Sequence, residues 1–199
     1  MTTAENAAAT ATTFESAATT PDAVVPDTKD WTWVLEQACP DCGLDTPAVD
    51  PAGVPALVRA NAATWTALLA GDPAELRRRP DPATWSAVEY ACHVRDVFRL
   101  FAHRLDLMLS QDGPLFANWN QDETALAERY AEQDPAVVGS ELAAAAELVA
   151  AAFEQVTGDQ WQRTGDRSDG ARFTVASFAQ YFIHDPVHHL FDVTGIRVG

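Results

Sequence analysis

WSAVEYACHVRDVFRLFAHRLDLML, residues 85–109, sets the architecture of this chain by its periodicity. Ser86 and Glu89 stand three apart in the pattern of a capping box, in which each side chain satisfies the other's backbone N–H. Trp85 before the cap and Tyr90 four positions into the helix can close over it as a hydrophobic staple. Beyond the cap, Tyr90, Val94, Val97, Phe101, Leu105 and Met108 recur at steps of three and four. That spacing gives one apolar stripe on a helix of 3.6 residues per turn and predicts a helix from about 86 to 109. His93 falls beside the stripe, about two turns in, near the edge of the core.

The same reading extends outward. Val58, Ala62, Trp65 and Leu69 form a stripe over 54–70, ended by Gly71-Asp72-Pro73. Asp134-Pro135 is an N-cap and first-turn pair, and Val138, Leu142, Ala145, Val149, Ala152 and Val156 follow in a heptad-like repeat up to Gly158. Thr174 caps a last helix that closes at Gly195. Between these lie ELRRRPDPAT (75–84), read as a solvated turn, and QDGPLFANWNQDE (111–123), read as a loop before a weakly helical piece to about Ala131. DQWQRTGDRSDGAR (159–172) reads as a loop or a short hairpin. Four long amphipathic helices without a persuasive strand pattern predict an all-α chain, a four-helix bundle over 54–199. Residues 1–28, rich in Ala and Thr, have too few large apolar side chains to offset their ordering entropy and read as a disordered tail. Residues 29–53 form an extension whose Trp31, Trp33 and Leu35 should pack on the body.

Composition narrows the function classes. The 199 residues are 47% hydrophobic, enough for one globular core, and carry a formal charge of −16. That acidity argues against nucleic acid and against an anionic membrane surface, because both need clustered Lys and Arg. Residues 1–30 show no secretory signal. The longest aliphatic run, Leu142–Phe153, is about twelve residues broken by Glu147, too short to span a bilayer. Three cysteines without a signal point to a reducing cytoplasm. The expectation is a soluble, cytoplasmic protein.

Chemistry concentrates in YFIHDPVHHLFDVTG, residues 181–195. His184 and His188, four apart, share a helical face with Tyr181 and Phe191. Two imidazoles on a core-facing row need partners for their nitrogens, and a metal ion is one. His93 is the candidate third ligand from another helix, giving a three-histidine site with an open position that suits Zn, Ni or Fe. Asp96, Asp185 and Asp192 are the nearby carboxylates able to fix imidazole tautomers. His103 and His189 read as surface or supporting residues. Pro186 should kink the helix between the two ligands. Cys39-Pro-Asp-Cys42-Gly looks like half a zinc knuckle but lacks a second CxxC, so an unliganded thiol pair is the preferred reading and an accessory-ligand or redox role the alternative.

WSAVEYACHVRD (85–96) together with HDPVHHLFD (184–192) resembles the DinB-like superfamily. The resemblance implies a four-helix bundle in which His93, His184 and His188 occupy the positions of the metal ligands. It also implies relatives among metal-dependent thiol S-transferases and mycothiol-dependent isomerases. The partners would then be a small-molecule thiol such as mycothiol and an electrophile, while a homodimer stays open. In that mechanism Asn118, Trp119 and Asp122 could line the mouth of the site. Trp161, Arg163, Arg167 and Asp169 could form a loop over it, with an arginine clamping a carboxylate, and Tyr181 could donate a hydrogen bond. The tail and the CPDCG segment depart from the family pattern. A non-catalytic metal-binding or stress-response module is the competing reading, favoured if Cys39 or Cys42 folds over the ligands and closes the coordination shell. A metal-free bundle with structural histidines is the third.

Overall fold

The computed structural model describes residue 24 and residues 29–198. The tail expected over 1–28 lies, apart from Val24, outside the described residues. Six helices are present among them: α1 (Val54–Leu69), α2 (Pro73–Arg77), α3 (Ala87–Ser110), α4 (Gln121–Ala127), α5 (Pro135–Glu154) and α6 (Val175–Thr194). The four long ones are those that the stripes predict. Their ends follow from the caps. Ser86 and Glu89 form the reciprocal capping box at the start of α3, and Thr174 and Ser177 form one at the start of α6. The Asp134 carboxylate accepts from the N–H groups of Ala136 and Val137 at the start of α5. Gly195, with φ of 69°, takes the left-handed conformation that lets its N–H reach back to the Phe191 carbonyl and end α6.

Helices α5 and α6 each pack against both α1 and α3, so the order around the bundle is α1, α5, α3, α6. Chain order therefore crosses the bundle from α1 to α3 and again from α5 to α6, unlike an up-and-down bundle with neighbouring consecutive helices. Aromatic side chains fill the centre. Phe101 stacks on Phe178 and Phe182 at 4.6 and 4.8 Å between ring centroids, and Phe153 stacks on the other side of Phe182. Burying each such ring contributes about 1.5–3 kcal/mol. Helix α5 is long and apolar enough to cross a membrane by length and composition, but Val138, Leu142, Val149 and Phe153 are buried against α1 and α3. It is a core helix.

Three local features refine the sequence expectation. The turn after α1 contains the short helix α2, because Asp72 caps Ala74 and Pro73 occupies the first turn. The weakly helical piece resolves into α4 and a 3₁₀ turn, Tyr130–Glu132. The polar stretch 159–172 forms the short hairpin its sequence allows, within a three-stranded sheet. In it, β1 (Leu115–Phe116) runs parallel to β2 (Thr164–Arg167), and β2 pairs antiparallel with β3 (Arg172–Thr174). These strands are too short for an alternation signal, and β1 is recruited from a distant loop. The extension enters as a 3₁₀ turn, Trp31–Leu35, packed on α6.

Candidate metal centre

The HDPVHH run of α6 carries two i, i+4 pairs offset by one residue: His184 with His188, and Asp185 with His189. At 3.6 residues per turn the two pairs project about 100° apart. The structure uses both. Asp185 and His189 meet His93 of α3, while His184 and His188 meet Cys39 and Cys42 of the extension. Within each group the donor atoms lie within 4.8 Å of one another. The expected triad of His93, His184 and His188 is thus divided between two groups.

In the first group, His93 is fully buried and its Nε2 lies 3.4 Å from both Asp185 carboxylate oxygens. His189 Nε2 lies 3.8 Å from Asp185 Oδ2. On the other side of the ring, His189 Nδ1 meets Asp192 Oδ2 at 2.9 Å, which fixes the tautomer and leaves Nε2 as the donor atom facing Asp185. Burial holds His93 below its usual pKa and favours the neutral, ligand form. Burial would raise the Asp185 carboxyl, but His93 and His189 outweigh it and hold it at about 2. Trp119 stacks on His93 with centroids 5.2 Å apart, Trp85 packs on it at 5.4 Å, and Tyr90 packs on His189 at 5.1 Å. A divalent metal fits this donor set. Asp185 Oδ1 is buried and, beyond its 3.4 Å approach to His93 Nε2, makes no hydrogen bond among the described residues, and two imidazoles with one carboxylate are a ligand set of catalytic zinc and of non-haem iron. Asp185 and His189 form part of the wall of a cavity of about 1260 Å³.

The second group is the more deeply buried, with Cys39 and Cys42 outside the cavity lining and His184 and His188 on it. Cys39 and Cys42 are at most 1% exposed, His184 4% and His188 9%. Cys39 Sγ lies 3.6 Å from His188 Nδ1. His188 Nε2 points toward Asp192 Oδ1 at 3.7 Å, so this one carboxylate touches a histidine of each group. Burial and the neighbouring His188 hold His184 down at about 4, keeping it neutral.

The sequence profile of the DinB superfamily matches residues 56–191. The chain belongs to the DinB superfamily. No curated protein matches it in sequence. Among solved structures it is similar to YfiT from Bacillus subtilis, described as a probable metal-dependent hydrolase with an unusual four-helix bundle topology. The TM-score is 0.60 at 15% identity, over 87% of this chain and 91% of that one. At that identity the likeness is one of fold.

The remaining candidates of this DinB-superfamily chain separate by location. Asn118, Trp119, Asp122, Arg167, Asp169 and Tyr181 all line the cavity. Arg167 holds Asp169 at 2.9 Å and donates to the Tyr181 hydroxyl at 3.0 Å, so loop and helix are joined across the rim. Asp96 faces away. It pairs with Arg95 and Arg99 at 2.9 and 3.1 Å and accepts from the Tyr130 hydroxyl, a network that ties α3 to the 3₁₀ turn after α4. Arg163 donates to the carbonyls of Met108 and Gln111 and closes the C-terminal end of α3. Sequence reasoning missed His189, Arg104 and the place of Trp31. The signal for His189 was present, since Asp185-x-x-x-His189 has the same spacing as His184-x-x-x-His188. Arg104 and Trp31 gave none, because their neighbours across the cavity come from distant segments.

Proposed function

We propose that the protein is a metal-dependent enzyme working at His93, Asp185 and His189, and that it transfers a small-molecule thiol to an anionic electrophile. The observation that carries this reading is the convergence of the three donors beside a cavity of about 1260 Å³, with Asp185 and His189 on its wall and His93 buried against them. Sites for a single small ligand usually span about 300–1,000 Å³, so this volume accommodates a thiol and an electrophile together. A divalent metal bound there would supply a coordinated nucleophile of lowered pKa at neutral pH. Zinc, nickel and iron all suit the donors.

The protein's own groups do the rest. Asp192 orients His189, and Trp119 excludes water from the His93 side. Arg104 is 4% exposed and lines the cavity. It donates to the Ala117 carbonyl at 2.7 Å and to no carboxylate among the described residues. Burial, followed by the nearby Arg167, pulls its pKa down to about 10. A buried guanidinium short of a counter-charge suits a substrate carboxylate. In S-transfer the thiol S–H bond breaks and its proton passes to solvent, while the sulfur bonds to the electrophilic carbon as that carbon's bond to its leaving group breaks and the group departs with the electron pair. Mycothiol is the thiol we expect, in a cytoplasmic setting where thiols stay reduced. Hydrolysis is the second reading, favoured by the description of YfiT, with water in place of the thiol.

Conversion of carboxylate-bearing electrophiles by the metal-loaded protein with mycothiol, and with a panel of other thiols, tests this. Conjugate formation is expected, with Arg104→Gln raising KM by about 10–50-fold while kcat holds. Hydrolysis of esters or amides without conjugation to any thiol would replace transfer by the second reading.

A further inference from the structure

Cys39, Cys42, His184 and His188 form a second cluster of donors, separate from the proposed catalytic group. We propose that they hold a closed, tetrahedral zinc ion that fastens the N-terminal extension to α6 and so builds one wall of the catalytic cavity. All four residues are buried, and their donor atoms lie within 4.8 Å of one another. Two thiolates and two imidazoles are a donor set of structural zinc. Sulfur at about 2.3 Å and nitrogen at about 2.05 Å from one tetrahedral ion lie about 3.6 Å apart. Cys39 Sγ and His188 Nδ1 are 3.6 Å apart already. The remaining donors need only a small contraction. His184 Nε2 is buried without a hydrogen-bond partner among the described residues, a vacancy that a metal bond fills.

The loop is shaped for ligation. Cys39 N–H donates to the Leu44 carbonyl at 2.9 Å, and Gly43 N–H donates to the Cys39 carbonyl at 3.0 Å, which folds the two-residue spacer into a knuckle. Gly43 has φ of 86°, and a Cβ there would lie 2.4 Å from the Val198 carbonyl oxygen. Only glycine allows this approach, through which Val198 N–H reaches the Cys42 carbonyl at 2.9 Å. Extension, C-terminal segment and α6 therefore meet around the four donors. Trp31 sits against the His184 and His188 rings at 5.4 and 5.0 Å, and both Trp31 and Leu35 line the cavity. With four protein ligands the ion has no coordination position for substrate, so its role is to hold the wall.

The test is cobalt substitution of the full chain, purified under reducing, anaerobic conditions and stripped of metal beforehand. A thiolate-to-cobalt charge-transfer band with intense tetrahedral visible bands is expected in the wild type. The band should be retained in His189→Ala and lost in Cys42→Ser. Withholding metal from this site should lower the thermal midpoint by roughly 5–15 °C, the shift that ligand binding well above its Kd confers on a chain of this size. Cobalt-loaded wild type lacking the charge-transfer band would overturn the proposal, as would Cys39 and Cys42 isolated as a disulfide that excludes metal. Both readouts need only the wild type, so they decide the matter even where Cys42→Ser does not fold.

Discussion

The two donor groups on α6 are built from neighbouring residues and yet differ in the number, type and burial of their donors. His93, Asp185 and His189 bring together three candidate ligands, one of them a carboxylate with a third of its side chain exposed, and two of them, Asp185 and His189, lie on the wall of a large cavity. Cys39, Cys42, His184 and His188 bring four buried ligands under Trp31. A helix rotates about 100° per residue, so a one-residue step carries a ligand pair from one environment to the other. Both pairs reach the same cavity, so what separates them is the partner each face meets: His93 on one side, a thiol knuckle on the other. The lesson is that an i, i+4 spacing identifies ligand pairs without identifying their site.

The contrast can be broken by exchanging the effects of mutations. His189→Ala should lower turnover by more than about 100-fold, exceeding the loss usual for a mere supporting partner, with a thermal midpoint within about 3 °C of wild type. Steady-state kinetics and calorimetry of the same preparation check this. A large drop in midpoint with retained turnover would reverse the roles of the two groups.

Asp192→Asn sharpens the comparison because this carboxylate touches both His188 and His189. The shorter contact, at 2.9 Å, is to His189. The open group should therefore lose about 10–100-fold in metal affinity, and the thiolate group less. Competitive chelator titration with the two sites resolved by their cobalt spectra measures each loss.

The smallest effect comes from Glu89, which supports α3 four residues before His93. Glu89 is buried, accepts from the Ser86 N–H and hydroxyl at 2.8 and 2.7 Å, and pairs with Arg79. Burial pushes its pKa up, but Arg79 and Ser86 outweigh that and hold it below the usual 4.5. A depressed carboxyl stabilises the fold above its unfolded value and loses that contribution as pH falls through the folded one. Glu89→Gln should cost about 2 kcal/mol near neutral pH, roughly 4–8 °C in midpoint. The gap to wild type should narrow below about pH 4.5, and metal content should stay unchanged at both groups. Melting curves from pH 3 to 7 follow the gap.

Much of this molecule is legible in its sequence. The capping box at Ser86 and Glu89, the Asp134-Pro135 start and the Gly195 stop mark helices to within a residue or two, because caps are local chemistry. The stripes identify the packed faces for the same reason. The hairpin of the polar stretch is legible as one of two readings, but the third strand is not, since Leu115–Phe116 pairs with residues some fifty positions away and no local pattern encodes that. At the site, the ligand-rich run HDPVHH is plain. Which of its pairs faces His93 depends on the rotation of α6 in the bundle, a tertiary quantity. The half knuckle at Cys39 and Cys42 has no second CxxC in the sequence, and the donors it meets in the fold, His188 and His184, lie 149 and 145 residues downstream of Cys39.

Anomalous diffraction at the zinc edge from crystals of the full chain tests the central claim most directly. The account predicts two peaks per chain, one ligated by Cys39, Cys42, His184 and His188, the other by His93, Asp185 and His189. A single peak bound by His93, His184 and His188, with both thiols outside the coordination shell, would contradict it.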